Sequence, residues 1–277
     1  MTDTPSTIGV FDSGFGGLTV LAALIPRLPH ARFAFIGDTA RLPYGSKSRR
    51  TIARYAVESA QFLVREQGAE FLVIACNTAS ALALDAIQDA VSVPVLGVIE
   101  PGSTAARAAS QSGDVLVIAT DATVHSHAYK AACAARSLRA LEKACPLLVP
   151  LVEEGWTKHH VTREVIRIYL DELHSDAAAD GLRPDTLVLG CTHYPLLRPL
   201  IEQAVPPGMR VIDSAESTAE AAAGLFNGHA KFRGKIDNDA LTEIHCFATD
   251  SVEKFERLGS RFLGRPVGNV QLVDLGG

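Results

Sequence analysis

The sequence predicts an α/β protein made of two similar doubly wound domains with mainly parallel sheets, and a functional site in the cleft between them. Three observations predict it. Short apolar runs recur at 7–11, 32–37, 71–75, 93–98, 115–119, 147–152, 186–190, 209–212 and 243–248. Most are continuous rather than alternating, as in strands buried on both faces of a parallel sheet. Helical stretches lie between them, at 16–28, 48–67, 77–91, 123–143, 157–175 and 251–263, and this alternation is the α/β signature. Finally, the chain echoes itself. Aligned on Cys76 and Cys191, segments 71–78 and 186–193 share Leu, Val and Cys at the same offsets, and the separation of 191 − 76 = 115 residues is that of one domain. GVFDS (9–13) has a fainter echo in VIATD (117–121).

A chain of 277 residues with 47% apolar and 21% charged residues fills a sizeable core. A net charge of −5 gives no basic surplus for nucleic acid. The N-terminal MTDTPSTIGVFDSG lacks the basic and apolar regions of a signal peptide, and no run reaches the roughly 18 apolar residues of a membrane span. The expectation is a cytoplasmic protein without nucleic-acid or membrane partners.

Five cysteines, Cys76, Cys133, Cys145, Cys191 and Cys246, are odd in number and none are closely paired. That pattern argues against a disulfide framework or a zinc site. Cys133, in an alanine-rich helix, Cys145, before Pro146, and Cys246, inside a strand, read as small buried hydrophobes. Cys76 and Cys191 differ, because each ends a strand, in FLVIACNTAS (71–80) and TLVLGCTHYP (186–195). A helix start there would lower the thiol pKa and favour the thiolate.

In parallel α/β sheets, ligands sit beyond the carboxyl ends of the strands. That rule selects Asp12-Ser13, Asp38-Thr39, Cys76-Asn77-Thr78, Thr120 and Cys191-Thr192-His193. DSGFGG (12–17) does not spell a nucleotide loop, and its glycines instead let backbone N–H groups approach a carboxylate. RLPYG (41–45) reads as a turn fixed by Pro43 and Gly45, with Tyr44 over a ligand.

Two strand-end thiols permit several chemistries. A redox pair lacks CxxC, and a metal site with His193 lacks further ligands at recognisable spacing. A cysteine nucleophile with His193 as base leaves the second thiol idle. Proton removal by one thiolate and proton delivery by the opposite thiol uses both, and inverts a stereocentre in either direction. Asp12 and His193 then become groups that hydrogen-bond the thiols, although taken alone Asp12 is a turn or cap residue and His193 a loop residue.

The motifs DSGFGGLTV (12–20), DTARLPYG (38–45), ACNTAS (75–80), ATDATV (119–124), PLVEEG (150–155), GCTHYPLL (190–197) and EKFERLGSRFLG (253–264) resemble, in order and nearly end to end, the glutamate racemase family. This is the cofactor-independent branch of the aspartate/glutamate racemases. The resemblance implies domains of 1–98 plus 214–277 and of 99–213. It implies interconversion of L- and D-glutamate without pyridoxal phosphate or metal, supplying D-glutamate for peptidoglycan. Cys76 matches the cysteine that takes the α-proton from D-glutamate and Cys191 the one that takes it from L-glutamate, with Asp12 and His193 assisting. Asp12, Ser13, Pro43, Tyr44, Gly45, Asn77, Thr78, Thr120, Thr123, Glu153, Thr192 and His193 match residues around the substrate. A homodimer or monomer–dimer equilibrium is expected. Phe15, where valine or isoleucine is common, and EEGW (153–156) depart from the pattern without touching the cysteines. The alternatives are a racemase for aspartate or another amino acid, and, outside the enzymes, a binding protein on the same scaffold.

Overall fold

The computed structural model describes residues 6–227 and 242–276. The first five residues, part of the stretch read above as lacking a leader, lie outside these. So do 228–241 and Gly277, which belong to the segment expected to complete the first domain. Ten strands are formed among the described residues: β1 Thr7–Asp12, β2 Arg32–Gly37, β3 Phe71–Ile74, β4 Val95–Gly97, β5 Asp114–Ala119, β6 Arg139–Ala144, β7 Thr186–Gly190, β8 Arg210–Asp213, β9 Ile244–Ala248 and β10 Val270–Leu272. The helices are α1 Leu18–Leu24, α2 Arg49–Arg65, α3 Asn77–Leu82, α4 Leu84–Ala90, α5 Ile99–Ala109, α6 Asp121–Ser126, α7 Ala128–Ala134, α8 Leu148–Glu153, α9 His160–Ala179, α10 Arg198–Ala204, α11 Ser214–Asn227 and α12 Val252–Leu263.

Two parallel sheets result, ordered β10-β9-β2-β1-β3-β4 and β6-β5-β7-β8. The order β2-β1-β3-β4 repeats as β6-β5-β7-β8, so the faint sequence echo corresponds to a repeated topology. Strands β1, β3, β5 and β7 are buried along their whole length. Helices cover both faces, so continuous apolar runs are what these strands require. Burying each Val, Leu, Ile or Phe contributes about 1.5–3 kcal/mol.

Four expectations need correction. LLVPLV (147–152) is not a strand. It forms α8, and the strand beside β5 is RALEKA, read above as the end of a helix. Those residues favour helices, but pairing with β5 overrides a weak propensity at a half-buried sheet edge. The rest of the helix expected at 123–143 is α6 and α7, parted by His127 in the left-handed region at φ 55°. The helix expected at 77–91 likewise breaks at Ala83 (φ −135°, ψ 0°) into α3 and α4. Helices α5, α10 and α11 and the short edge strand β10 had no sequence expectation.

Among the described residues no helix is long and apolar enough to cross a membrane.

Candidate active site

Each sheet has a point near its middle where the chain leaves two neighbouring strands in opposite directions. In the first it lies between β1 and β3. Phe11 stands opposite Ile74, and the amide of Ala75 donates to the Phe11 carbonyl at 2.8 Å. The residues that emerge there are Asp12-Ser13 and Cys76. In the second sheet Ala119 stands opposite Gly190, and Thr120 and Cys191 emerge. Crevices at such switch points are where open α/β sheets bind ligands.

Cys76 caps α3. Its Sγ accepts from the amide of Ala79 at 3.4 Å, and its thiol donates to Ser13 Oγ at 3.4 Å. Burial pushes this thiol up to about 11, and the negative charge of Asp12 adds to the rise. The hydrogen bonds from Ser13 and Ala79 oppose it. Cys191 is pushed up further, again first by burial, then by the charges of Cys76 and Asp12. The lowered thiols expected from sequence are therefore not found. The reason is magnitude: α3 spans only six residues and Cys191 enters a short 3-10 turn, so the helix dipole is small, while both sulfurs are almost fully buried. Burial therefore favours the neutral thiol at both.

His193 places Nδ1 4.0 Å from Cys191 Sγ and 3.5 Å from Thr192 Oγ1. Its ring is held edge-on by Phe262 of α12, with centroids 4.9 Å apart. On its other side Nε2 lies 3.4 Å from Glu153 Oε1. That approach is close enough for a charge interaction but is not aligned as a hydrogen bond. Burial opposes the ionisation of Glu153, yet His193 and then Lys254 outweigh it and hold the carboxyl below its usual range. Asp12 accepts from the amide of Gly14 at 2.9 Å. No hydrogen bond joins it to Cys76; Ser13 has that place. Burial raises the Asp12 carboxyl, and the charge of His193 partly offsets the rise.

The remaining candidates form two clusters. Asn77 donates through Nδ2 to Ser214 Oγ at 3.3 Å and accepts at Oδ1 from the Tyr129 hydroxyl at 2.7 Å. Tyr129, on α7, is fully buried. Thr78, Thr120 and Thr123 form a triangle of hydroxyls with oxygens 2.9–3.2 Å apart, joining α3 to α6. The turn at Pro43-Tyr44-Gly45 is held from beneath. The Tyr44 hydroxyl donates to Asp38 Oδ2 at 2.5 Å, and the Asp38 carboxylate also accepts from Arg41 Nε and Thr249 Oγ1. Tyr44 is thus buried and tied down rather than free to lie over a ligand, though it lines the cavity wall.

One cavity of about 530 Å³ is lined by all the sequence candidates except Asp12, Thr123 and the strand-end pair Asp38-Thr39. That volume is within the range of ligand pockets, about 300–1,000 Å³. Asp12 and Thr123 lie behind its wall and touch lining residues. Sequence reasoning missed Tyr129, which buttresses Asn77, and Lys254 and the α8 residues Val149 and Pro150 in the wall. Lys254 sits in a quoted motif, but nothing local links it to Glu153. Among the described residues no group of three or more His, Cys, Asp or Glu could hold a metal ion.

Two thiols, one from each sheet, thus line one cavity, an arrangement that could serve proton transfer. Comparison with known proteins gives it a class. The sequence profile of the Asp/Glu/Hydantoin racemases matches residues 19–222, and the chain belongs to that family. It is 52% identical to a glutamate racemase of Koribacter versatilis (strain Ellin345), over 98% of each chain. The crystal structure of glutamate racemase isoform RacE1 from Bacillus anthracis superposes with a TM-score of 0.88 at 36% identity, covering 98% of each chain. That of Francisella tularensis glutamate racemase in complex with D-glutamate gives 0.87 at 33% identity, covering 99% of this chain and 98% of the other.

Proposed function

We propose that this protein interconverts L- and D-glutamate, one of the thiols Cys76 and Cys191 removing the α-proton and the other delivering its own proton to the opposite face. The observation that carries this is the pair of thiols, one from a switch point in each sheet, in the lining of a single cavity. The end-to-end similarity to glutamate racemases supports glutamate as the substrate.

In the direction from L-glutamate, Cys191 first yields its proton to His193, whose Nδ1 is its nearest acid–base partner. The thiolate then removes the α-proton, leaving the electron pair delocalised into the carboxylate as a dianion. Cys76, still a thiol, gives its proton to the opposite face of Cα. Roles reverse for D-glutamate. The developing charge needs donors already in place where it forms. Ser13, Asn77, Thr78 and Thr192 supply hydroxyl and amide donors, with Thr120, Thr123, Pro43, Tyr44 and Gly45 shaping the far end. The high resting pKa of both thiols suits this chemistry: once ionised, a buried thiolate is a stronger base than an exposed one.

The reading includes two domains, 1–98 with 214–277 and 99–213, closing on the substrate. Strand membership of the two sheets supports this division. It also includes a homodimer or monomer–dimer equilibrium, for which exposed Leu147, Trp156 and Ile168 offer apolar surface, and a cytoplasmic role supplying D-glutamate for peptidoglycan. The thiols the reaction needs are free.

The test is a chiral assay of L-glutamate with purified protein, beside aspartate, with Cys76→Ser and Cys191→Ser as controls. Loss of racemisation in both variants supports the reading. Unchanged rates in either, or faster turnover of aspartate, count against it.

A further inference from the structure

Among the described residues, Lys254 is the one lysine or arginine in the cavity wall, which also carries Asp121, Glu153 and Glu154. It lies in the first turn of α12 and is half exposed, with Nζ 5.4 Å from the ring centre of Phe15. Its anionic neighbour is not a surface acid. Nζ stands 3.6 Å from Oε2 of Glu153, and the other oxygen of that carboxylate is 3.4 Å from His193 Nε2. His193 Nδ1 faces Cys191 at 4.0 Å. A line of charged and titratable groups therefore runs from the rim of the cavity to one of its two thiols.

The same helix acts on His193 a second time. Phe262, two turns beyond Lys254, packs its ring edge-on to the imidazole. Glu153 comes from α8, on the second sheet's side of the cleft, and α12 from the first. The Lys254–Glu153 pair thus crosses the cleft where α12 meets α8.

Resting on the racemase reading above, we propose that Lys254 is a positioning residue for the Cys191 half of the reaction. Its ammonium fixes one oxygen of Glu153, so that the other holds the His193 ring with Nδ1 toward Cys191. Without the ammonium, Glu153 loses its second partner and can turn out to solvent, and the imidazole keeps its contacts with Phe262, Thr192 and Cys191 but loses the anchor on Nε2. Cys76 has no equivalent line. Its thiol is bonded to Ser13 and the Ala79 amide, and α12 does not reach it through any of these contacts.

A constraint shapes the test. The two enantiomers have equal free energy, so kcat/KM must fall equally in both directions whichever thiol is affected. Only the separate constants and the isotope effects can reveal the asymmetry.

The experiment compares wild type, Lys254→Met and Lys254→Arg on L- and D-glutamate, protiated and deuterated at Cα. Lys254→Met is expected to lower kcat about ten-fold with KM changed less than about two-fold, the scale seen when an outer group that orients a functional histidine is lost. The α-deuterium isotope effect should rise from L-glutamate, where Cys191 removes the proton, and fall from D-glutamate. Lys254→Arg should restore most of kcat. Thermal melting should be unchanged in both, since the lysine is half exposed. Three results would overturn the proposal: unchanged kcat in Lys254→Met, a rise in KM alone that grows at low salt (substrate attraction), or isotope effects that shift alike from both enantiomers. If the wild type itself does not racemise glutamate, the racemase reading fails instead.

Discussion

Gly16 approaches His193 so closely that a Cβ added to it would lie 2.6 Å from Nδ1 of the imidazole and 2.3 Å from Thr192 Oγ1. The DSGFGG loop after β1 is thus pressed against the residues after Cys191. Its glycine has a steric purpose, different from the anion-binding one its sequence suggests. Gly16→Ala must displace Thr192 or His193, and a shift of about 1 Å in such a group costs about 10²-fold in rate. Steady-state kinetics should show that loss in kcat. Gly181→Ala, at φ 66° with open space around it, should lower the melting temperature and leave kcat unchanged.

The Tyr129 hydroxyl is the buried partner of Asn77 Oδ1. Tyr129→Phe keeps the ring, which packs against Gly102 and Gly190, and removes only the donor. An amide oxygen left without a buried partner costs about 1–3 kcal/mol. Chemical denaturation should show a loss of that size, and kcat/KM should fall as Asn77 loses its fixed orientation. An unchanged stability would mean that Asn77 finds another donor.

Stability should fall at alkaline pH. Burial pushes Cys76 and Cys133 up to about 11, and Cys145 and Cys246 up to about 12. An unfolded thiol titrates near about 8.5. Because the folded values are the higher ones, the stabilising contribution is complete below the unfolded pKa and is lost as pH rises toward the folded values. Melting temperatures should hold to about pH 8 and drop between about 9 and 11. Cys246→Val, which removes one titrating group from the core of the first sheet, should make that drop shallower.

Much of the site was legible because parallel strands are buried on both faces. FLVIA and TLVLG stand out as unbroken apolar runs, and whatever follows such a strand lies at the sheet's functional edge. That placed Cys76, Asn77, Thr78, Cys191, Thr192 and His193 without any knowledge of contacts. Residues placed by long-range packing were not legible. Tyr129 follows the left-handed His127, a break that no Gly or Pro announces. Lys254 meets Glu153 only because α12 crosses to α8 about a hundred residues earlier in the chain. RALEKA is a strand by virtue of its neighbour β5, against its own preference. The thiol pKa values were misjudged for a related reason: position at a strand end is written in the sequence, whereas depth of burial is not.

The central claim is that two thiols on opposite faces share one α-proton transfer. It is tested most directly by converting L-glutamate in deuterated water to low conversion and examining Cα in both enantiomers. Two bases predict that the D-glutamate formed carries solvent deuterium while the remaining L-glutamate stays protiated, because the proton removed by Cys191 is not the one delivered by Cys76. D-glutamate that retains the original proton would mean that a single base carries it from one face to the other, and would contradict the account.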